Sequence, residues 1–336
     1  MELLFVLALS FKKGYGFHRI KKLIDEHGSL RVGIKEEGIE LSRELKRAEE
    51  EIKRAEKLGV RIVPFTSENY PKRLLSISQP PVVLYVKGEL KEEPAVAVVG
   101  SRRCSSYGRS VAFRLGKFLS ENGVTVVSGL ALGIDSAAHR GALSGGGKTV
   151  AVLGSAVDMV YPFENKPLAE RIVEGGGAVI SEFPLGTKAR KEFFPRRNRI
   201  VSGLSDSVVV VEASEKSGTF ITVNYALEQG KEVLAVPGSI DSPFSRGTNR
   251  LIKEGAPPLT DFSDIFEIVP QLKKAKEKKE IPEELAGIYS LLLERPLTAD
   301  QISQITGKNS KEVSVILTKL ELKKLISREG ATYRAC

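Results

Sequence analysis

The sequence predicts an α/β protein with a doubly wound parallel sheet, a small helical domain before the sheet and a winged helix after it. Between residues 96 and 236, short Val- and Ile-rich runs alternate with helical patterns. The runs are apolar along their whole length, as expected of strands that helices cover on both faces. Glycine and other small residues repeatedly follow a run and precede a helix, which is typical of a Rossmann-like domain.

Residues 1–60 are predicted to form a small helical (SAM/helix-hairpin-helix-like) domain. Apolar residues at helical spacing predict a helix over Phe17–His27, ended by Gly28, and Glu/Lys pairs three or four residues apart predict another over Ile39–Leu58. The short glycine turns around these helices suit either contacts with DNA phosphates or a packing appendage. We prefer the packing appendage.

Residues 61–270 are predicted to form an extended Rossmann-like domain, to which the candidate DNA-binding residues given below belong. Two β-type runs, Arg61–Val63 and Val82–Val86, come before the regular alternation. The predicted strands that follow are Val96–Val99, Val124–Val127, Thr149–Leu153, Ala178–Ser181, Ser207–Val211 and Glu232–Val236. The predicted helices are Tyr107–Glu121, Ser136–Leu143, Pro167–Glu174 and Thr219–Gln229.

Residues 271–281 are predicted to be a charged linker because Gln271–Glu280 is rich in lysine and has no β-branched residue. Residues 282–336 are predicted to be a winged-helix domain. Its first helix is Leu285–Leu293, its second begins after Thr298 as N-cap, and its third is Ser310–Lys324. A hairpin over Ile326–Arg334 follows. The third helix carries lysines that suit either duplex contact or a solvated face, namely Lys311, Lys319, Lys323 and Lys324.

Composition limits the class of protein. The 51 Lys and Arg residues exceed the 42 Asp and Glu residues, and the formal net charge of +9 favours acidic partners. No apolar run approaches the roughly 20 residues of a membrane span, and Leu3–Leu9 lacks the basic segment of a signal peptide. Two cysteines and three histidines are too few for a disulfide framework or a four-ligand zinc site. We predict a cytoplasmic protein without metal, cofactor or membrane partner.

Three glycine-containing turns follow predicted strands and suit anion binding. Glycine lets the backbone approach a phosphate, the positive end of the next helix favours negative charge, and arginine binds phosphate with two hydrogen bonds. The candidate residues are Ser101 and Arg102 after the first parallel strand, Ser128 and Gly129 after the second, and Ser217, Gly218 and Thr219 after the fifth. For the last turn, ordinary helix capping is an equal alternative.

The densest group of basic residues is the predicted loop Lys188–Arg199, in which Phe193 and Phe194 are embedded. Cations interleaved with aromatic rings suit a single-stranded nucleic acid, whose phosphates need positive charge and whose free bases stack on rings. The alternative is a solvated basic surface over two buried phenylalanines. The candidate residues here are Lys191, Phe194, Arg196, Arg197, Asn198 and Arg199.

No pattern indicates catalysis. Gly145–Thr149 resembles the end of a phosphate-binding loop but precedes a strand instead of following one, so we predict a helix C-terminus there. Asp135 and His139 lie one turn apart, and a capped helix with a packed histidine is preferred to a proton relay. Glu182 and Glu212 show no paired spacing that acid–base chemistry requires. We therefore predict that the protein is not an enzyme.

Several ordered segments together carry a resemblance to a known family. They are G-S-R at 100–102, S-G-L-A-x-G-I-D at 128–135, Y-P-x-x-N at 161–165, F-P-x-R-N-R at 194–199, S-G-L-S at 202–205, S-G-T at 217–219 and A-V-P-G at 235–238. With these segments the chain resembles the DNA-processing protein A family (DprA, also called Smf).

The resemblance implies a cytoplasmic bacterial protein that binds single-stranded DNA, forms dimers and helps load a RecA-type recombinase on incoming DNA during natural transformation. It implies neither catalytic activity nor a cofactor. The DNA-contacting residues that it implies are Arg102, Lys191, Phe194, Arg196 and Arg199, with Lys166 as a further candidate. The chain departs from the family at Gly154-Ser155-Ala156, where a second glycine is frequent, and we leave that loop out of the site.

Two other functions stay open from the sequence. A Rossmann-like domain with Ser217-Gly218-Thr219 at a helix start is similar to nucleotide-processing enzymes of the phosphoribohydrolase type, but the glutamate of their glycine-rich loop is missing here. A winged-helix transcription regulator, with the central domain as a ligand sensor, predicts tight binding to a specific duplex instead.

Overall fold

The computed structural model describes residues 2–272, 283–322 and 325–335. The chain divides into two compact units, residues 1–273 and residues 274–336. Each unit is described by itself.

Four helices open the first unit: α1 (Glu2–Phe11), α2 (Phe17–His27), α3 (Leu30–Glu36) and α4 (Ser42–Lys57). The apolar run at the start of the chain forms α1, in which Val6–Leu9 are fully buried. These helices share one hydrophobic core with sheet residues such as Tyr85 and Val179. The predicted boundary at residue 60 thus falls within one compact unit, as expected of a packing appendage.

Eight strands form one sheet in the first unit. They are β1 (Arg61–Pro64), β2 (Val83–Gly88), β3 (Ala95–Val99), β4 (Thr125–Ser128), β5 (Thr149–Val152), β6 (Ala178–Ser181), β7 (Ser207–Val210) and β8 (Glu232–Ala235). Their order is β1-β2-β6-β5-β4-β3-β7-β8. The six strands from β6 to β8 are parallel, while β2 and β1 extend one edge in antiparallel pairing. The predicted doubly wound sheet is confirmed.

Eight further helices cover this sheet and its loops. They are α5 (Lys72–Leu75), α6 (Ser106–Glu121), α7 (Ile134–Ser144), α8 (Lys166–Glu174), α9 (Phe193–Gly203), α10 (Thr219–Glu228), α11 (Arg246–Lys253) and α12 (Asp264–Ile268). Helix α9 corrects the predicted loop Lys188–Arg199, because the chain is helical from Phe193 onward. Its buried face contains Arg197 and Arg199 beside Ile200 and Val201. These two charged residues interrupt the apolar periodicity by which a buried helix face is identified in a sequence.

The strand order creates a crevice at the carboxyl ends of the parallel strands. From β3 the chain winds outward through β4, β5 and β6, and then returns to β7 on the other side of β3. The connections that leave β3 and β7 therefore run in opposite directions. Ligands of open α/β sheets bind at such a switch point, because the two connections separate and leave space between them.

The second unit is a winged helix, as predicted. It contains α13 (Glu283–Glu294), β9 (Leu297–Thr298), α14 (Ala299–Thr306), α15 (Ser310–Leu322), β10 (Ile326–Glu329) and β11 (Thr332–Ala335). Thr298 caps α14 in a reciprocal arrangement with Gln301, which confirms the predicted N-cap. Most of the predicted linker, together with Lys323 and Lys324, lies outside the described residues. None of the described helices combines the length and apolarity needed to cross a membrane.

Candidate nucleic-acid interface

A cleft of about 580 Å³ occupies the switch point of the sheet. Its walls come from the loops after β3, β4, β7 and β8 and from the first turns of α9. The structure brings nine of the predicted site residues together in this lining: Ser101, Arg102, Gly129, Phe194, Arg197, Asn198, Ser217, Gly218 and Thr219.

The loop after β4 is held in one conformation by buried side chains. Asp135 Oδ2 accepts hydrogen bonds from the backbone amides of Gly129 (3.1 Å) and Ala131 (3.3 Å). Asn165 Nδ2 donates to Leu130 O at 2.9 Å. Leu130 has a φ of 58°, a conformation that costs a non-glycine residue about 1–3 kcal/mol and persists only where the surroundings enforce it. The loop is therefore a rigid wall of the cleft.

Arg197 places a buried positive charge beneath the same loop. Its guanidinium donates to the carbonyl oxygens of Gly129 and Val152, and its Nε donates to Asn198 Oδ1 at 3.0 Å. Burial lowers the pKa of Arg197 to about 10, and the neighbouring Asp135 opposes that shift. Burial also raises the pKa of Asp135, against the effect of Arg197. Arg197 thus stays charged near neutral pH. Its hydrogen bonds to the protein hold the loop after β4 in position, so few of its donors are open to a ligand.

The loop after β3 is positioned by Glu212, which follows β7. Ser101 N donates to Glu212 O at 2.8 Å, and Ser105 N donates to the Glu212 carboxylate at 2.8 Å. The Glu212 side chain is buried, so this carboxylate is a structural anchor for the start of α6. Sequence reasoning missed this role, because a single glutamate after a strand does not indicate its partner in the loop after another strand.

The mouth of the cleft carries a cation over an aromatic ring. The Arg102 guanidinium carbon lies 4.7 Å from the centroid of the Phe194 ring, and the Tyr161 ring lies 5.9 Å from the same ring. Arg102 is exposed and Phe194 is half-buried. Gly154 lies under Phe194, because a Cβ there would be 2.8 Å from the ring. The Gly154 loop, which the sequence analysis left out of the site, therefore supports it.

The loop after β7 leads into α10, whose N-cap residue is Gly218 and whose start has no side-chain hydrogen bond from the N-cap. Thr219 N donates to Ser217 Oγ at 3.2 Å, and Ile221 N donates to Gly218 O at 3.2 Å. These amides already have partners within the turn. Ser217, Gly218 and Thr219 contribute to the wall of the cleft and to the positive end of α10. Capping by a serine or threonine side chain at the N-cap, the alternative expected for this turn, is not present at this helix.

Five predicted site residues do not line this cleft. Ser128 is buried and donates to Val98 O at 2.6 Å. Lys191 is exposed in the turn before α9, and Lys166 lines a separate groove. Arg196 is exposed and pairs with Glu182 Oε2 at 3.3 Å. Arg199 is buried, and its two terminal nitrogens contact the two Glu182 oxygens at 3.0 and 2.8 Å.

The position of Arg199 corrects its expected role as a DNA-contacting residue. Only 6% of its side chain is exposed, and 7% of the Glu182 side chain is exposed. The pair is bidentate, because the fork of the guanidinium matches the two carboxylate oxygens, and Nη1 also donates to Arg196 O at 2.9 Å. Arg199 therefore holds α9 against the residue after β6, and its remaining Nε–H is buried, away from a phosphate at the surface.

The structure also excludes a His139–Asp135 relay. His139 is fully buried, and its Nδ1 lies 2.7 Å from Thr149 Oγ1, whereas Asp135 accepts from Gly129 and Ala131. Burial, together with the charge of Arg197, lowers the pKa of His139 to about 3. The packed histidine that was preferred is present.

Comparisons with known proteins agree with this architecture. The family model described as DNA recombination-mediator protein A matches residues 61–270, and the DprA winged helix domain model matches residues 273–331. DNA processing protein DprA of Bacillus subtilis (strain 168) is 42% identical over 216 residues, which cover 63% of this chain and 72% of that protein. DNA processing protein DprA of Streptococcus pneumoniae (strain ATCC BAA-255 / R6) is 46% identical over 199 residues, or 59% of this chain and 70% of that protein.

Solved structures show the same relationship. The X-ray structure of DNA processing protein A from Streptococcus pneumoniae aligns with a TM-score of 0.61 and 34% identity, covering 80% of this chain and 93% of that chain. The structure of DNA processing protein A from Helicobacter pylori, described for its single-stranded DNA binding mode, aligns with a TM-score of 0.57 and 29% identity over 63% of this chain and 96% of that chain. The present chain belongs to the DNA recombination-mediator protein A (DprA) family.

Proposed function

We propose that this protein binds single-stranded DNA in the cleft, protects incoming DNA and loads a RecA-type recombinase on it in natural transformation and recombination. It acts in the cytoplasm as a homodimer, without a cofactor and without a catalytic step of its own. The observation that carries the proposal is the Arg102–Phe194 pair at the mouth of the cleft. The single-stranded DNA binding mode described for the Helicobacter pylori relative supports it.

The pair offers both contacts that a single-stranded nucleotide needs. A phosphate binds the exposed Arg102 guanidinium, and an unpaired base stacks beside the Phe194 and Tyr161 rings. In a duplex the bases stack on each other, so their faces do not reach a ring in a cleft. This difference favours single strands over duplexes without favouring any sequence, because every base has a flat aromatic face.

The acidic groups near the cleft support binding over catalysis. Asp135 is the carboxylate that lines the cleft, and its Oδ2 accepts two backbone amides. Glu212 anchors Ser105, and Glu182 pairs with Arg199. Carboxylates with such fixed partners position the loops, whereas a general base needs a lone pair directed at the substrate.

The test is fluorescence anisotropy with matched single- and double-stranded oligonucleotides of mixed sequence at two salt concentrations. Preference for the single strand, with affinity falling as salt rises, is expected. Equal or stronger duplex binding would shift the function to the winged helix, and absence of binding to either would reopen the nucleotide-enzyme alternative. Acceleration of recombinase assembly on the same single strand tests the loading step.

A matched pair of variants links binding to the cleft. Phe194→Ala is expected to weaken single-strand binding by about 1–3 kcal/mol, the contribution of one stacked base. Phe193 is the control, because its ring stacks on Phe183 at 4.2 Å and is not part of the cleft lining. Equal affinity of the Phe194→Ala protein and the wild type would remove this ring from the site.

A further inference from the structure

We propose that a groove built around Phe163 is a second stacking subsite, which carries the bound single strand beyond the cleft; this inference rests on the function proposed above. The groove encloses about 390 Å³ and is lined by Asp158–Tyr161, Phe163, Lys166 and the Lys188–Ala189 segment. It lies in the first compact unit, beside the loops that form the cleft.

Two aromatic rings are presented to solvent in this groove. Phe163 is 74% exposed and Tyr161 is 49% exposed. The turn that carries Phe163 ends at Asn165, whose side chain is buried and donates to Leu130 O in the cleft loop. The backbone that carries the ring is therefore held in place, so the turn itself loses little conformational entropy when a nucleotide base stacks on the ring.

The charges in the groove favour an anionic ligand. Lys166 and Lys188 are exposed, and neither belongs to an ion pair among the described residues. The carboxylate of Asp158 is already bound by Arg54 Nη2 at 2.7 Å and by Gly186 N at 2.8 Å. The groove thus presents two free cations beside two rings, the combination that suits phosphates and bases of one strand.

The groove borders the mouth of the cleft at Tyr161. This residue lines the groove and also a small cavity that it shares with Arg102 and Phe194. The Tyr161 and Phe194 rings lie 5.9 Å apart. A strand that leaves the Arg102–Phe194 pair therefore meets Tyr161 and then Phe163, which favours a nucleic-acid occupant over a protein one.

The experiment measures anisotropy of the full chain with labelled oligothymidylates of increasing length. Phe163→Ala is expected to lower affinity for the longer strands about five- to 150-fold, the equivalent of one stacked base, and to leave the shortest unchanged. Phe163→Trp is expected to retain wild-type affinity, because its ring still stacks. Ile240→Ala is the control for loss of an exposed apolar side chain, since Ile240 is 84% exposed.

Salt dependence gives an independent measurement. Lys166→Ala and Lys188→Ala are each expected to reduce the salt slope by roughly 0.7 for long strands only. Wild-type affinity of Phe163→Ala at every length, with the wild type itself binding, would overturn the subsite and leave the proposed function standing. A changed sedimentation coefficient of Phe163→Ala with unchanged affinity would overturn it too, because the ring would then contact another copy of the chain. Failure of the wild type at every length would instead reject the proposed function.

Discussion

Arg102 of the G-S-R segment and Arg199 of the F-P-x-R-N-R segment have different surroundings in the fold. Arg102 is exposed and contacts the face of the Phe194 ring, so its donors are available to a ligand. Arg199 is buried and bound to both oxygens of Glu182. A guanidinium gives up its hydration only for a fixed partner, so burial identifies Arg199 as structural and leaves Arg102 as the arginine with donors open to a ligand.

Replacement of these two arginines is expected to change two different properties, namely single-strand binding for Arg102 and stability for Arg199. Arg102→Ala should weaken single-strand binding for all sequences alike and lower the salt slope by about 0.7, with stability unchanged. Arg199→Ala should cost about 3–5 kcal/mol of stability, because it leaves the buried Glu182 without its bidentate partner. Urea unfolding and anisotropy measure the two effects. A stable Arg199→Ala protein with a reduced salt slope would restore Arg199 to the DNA-contacting set.

His139 makes stability dependent on pH. Thr149 Oγ1 donates to Val126 O, so it accepts from His139 Nδ1–H, and His139 Nε2 is left buried without a partner. A proton on Nε2 would have no acceptor, which agrees with a pKa lowered to about 3. The neutral ring therefore supports the fold above the ordinary histidine pKa, and that support is lost as the pH falls toward the lowered value.

Between pH 7 and pH 5 the unfolded chain binds a proton at His139, whereas the native state does not. The loss of unfolding free energy over this range should be about 2 kcal/mol larger in the wild type than in His139→Gln. His18→Gln is the control, since His18 is exposed. Urea titrations at both pH values give the comparison, and equal pH dependence in the wild type and His139→Gln would show that the ring titrates normally in the fold.

At the scale of elements, the cleft depends on the close approach of two loops. Gly133 has a φ of +81° and stands at the start of α7. A Cβ there would be 2.4 Å from Ser101 O and 2.6 Å from Arg102 O. The loop after β3 therefore lies directly against the start of α7, and the Arg102 backbone is placed by this contact.

Gly133→Ala is expected to displace the Arg102 loop. Single-strand affinity should fall roughly tenfold, which matches the loss of about one contact, and stability should fall as well. Gly146→Ala is the matched control, because Gly146 has a φ of +70° but has nothing within 4 Å of its Cβ position. That control should lose only about 1–2 kcal/mol of stability and keep its affinity. Equal effects of both variants on binding would show that the approach of the loops is unimportant.

At the scale of the whole molecule, the cleft and the winged helix belong to separate compact units. The cleft residues all lie within residues 1–273, and the winged helix has a core of its own that includes Leu285, Ile302 and Leu317. Each unit buries its own apolar residues, so each has the means to fold without the other.

A chain that ends at residue 272 is expected to keep the single-strand preference and the salt slope of the full protein. All the cationic and aromatic groups of the cleft remain in that chain. Duplex affinity should fall, if the lysines of α15 contact duplex DNA. Anisotropy with both oligonucleotides measures this, and thermal unfolding confirms that the shortened chain is folded. Loss of the single-strand preference would place the main site in the winged helix.

Local patterns were sufficient to predict most of the architecture. The wholly apolar strand from Ala95 to Val99 is predicted within one residue, and the Thr298 cap of α14 can be identified from the sequence, because both depend on neighbours along the chain. Helix α9 was missed, since Arg197 and Arg199 occupy its buried face where a pattern search expects apolar residues. The ordered motifs of the sequence also contain most of the residues that line the cleft.

Partners across the fold determine what each of these charged residues does. Arg199 and Glu182 pair over 17 positions, Ser105 and Glu212 over 107, and Arg102 meets Phe194 from another loop. A charged residue in a sequence looks the same whether water or a buried counter-ion surrounds it. The free energy of burial differs greatly between these cases, and folding alone decides which partner is within reach. The chain's local patterns therefore specify strands, caps and motif loops, while long-range contacts decide which arginine is exposed at the cleft and which is buried in an ion pair.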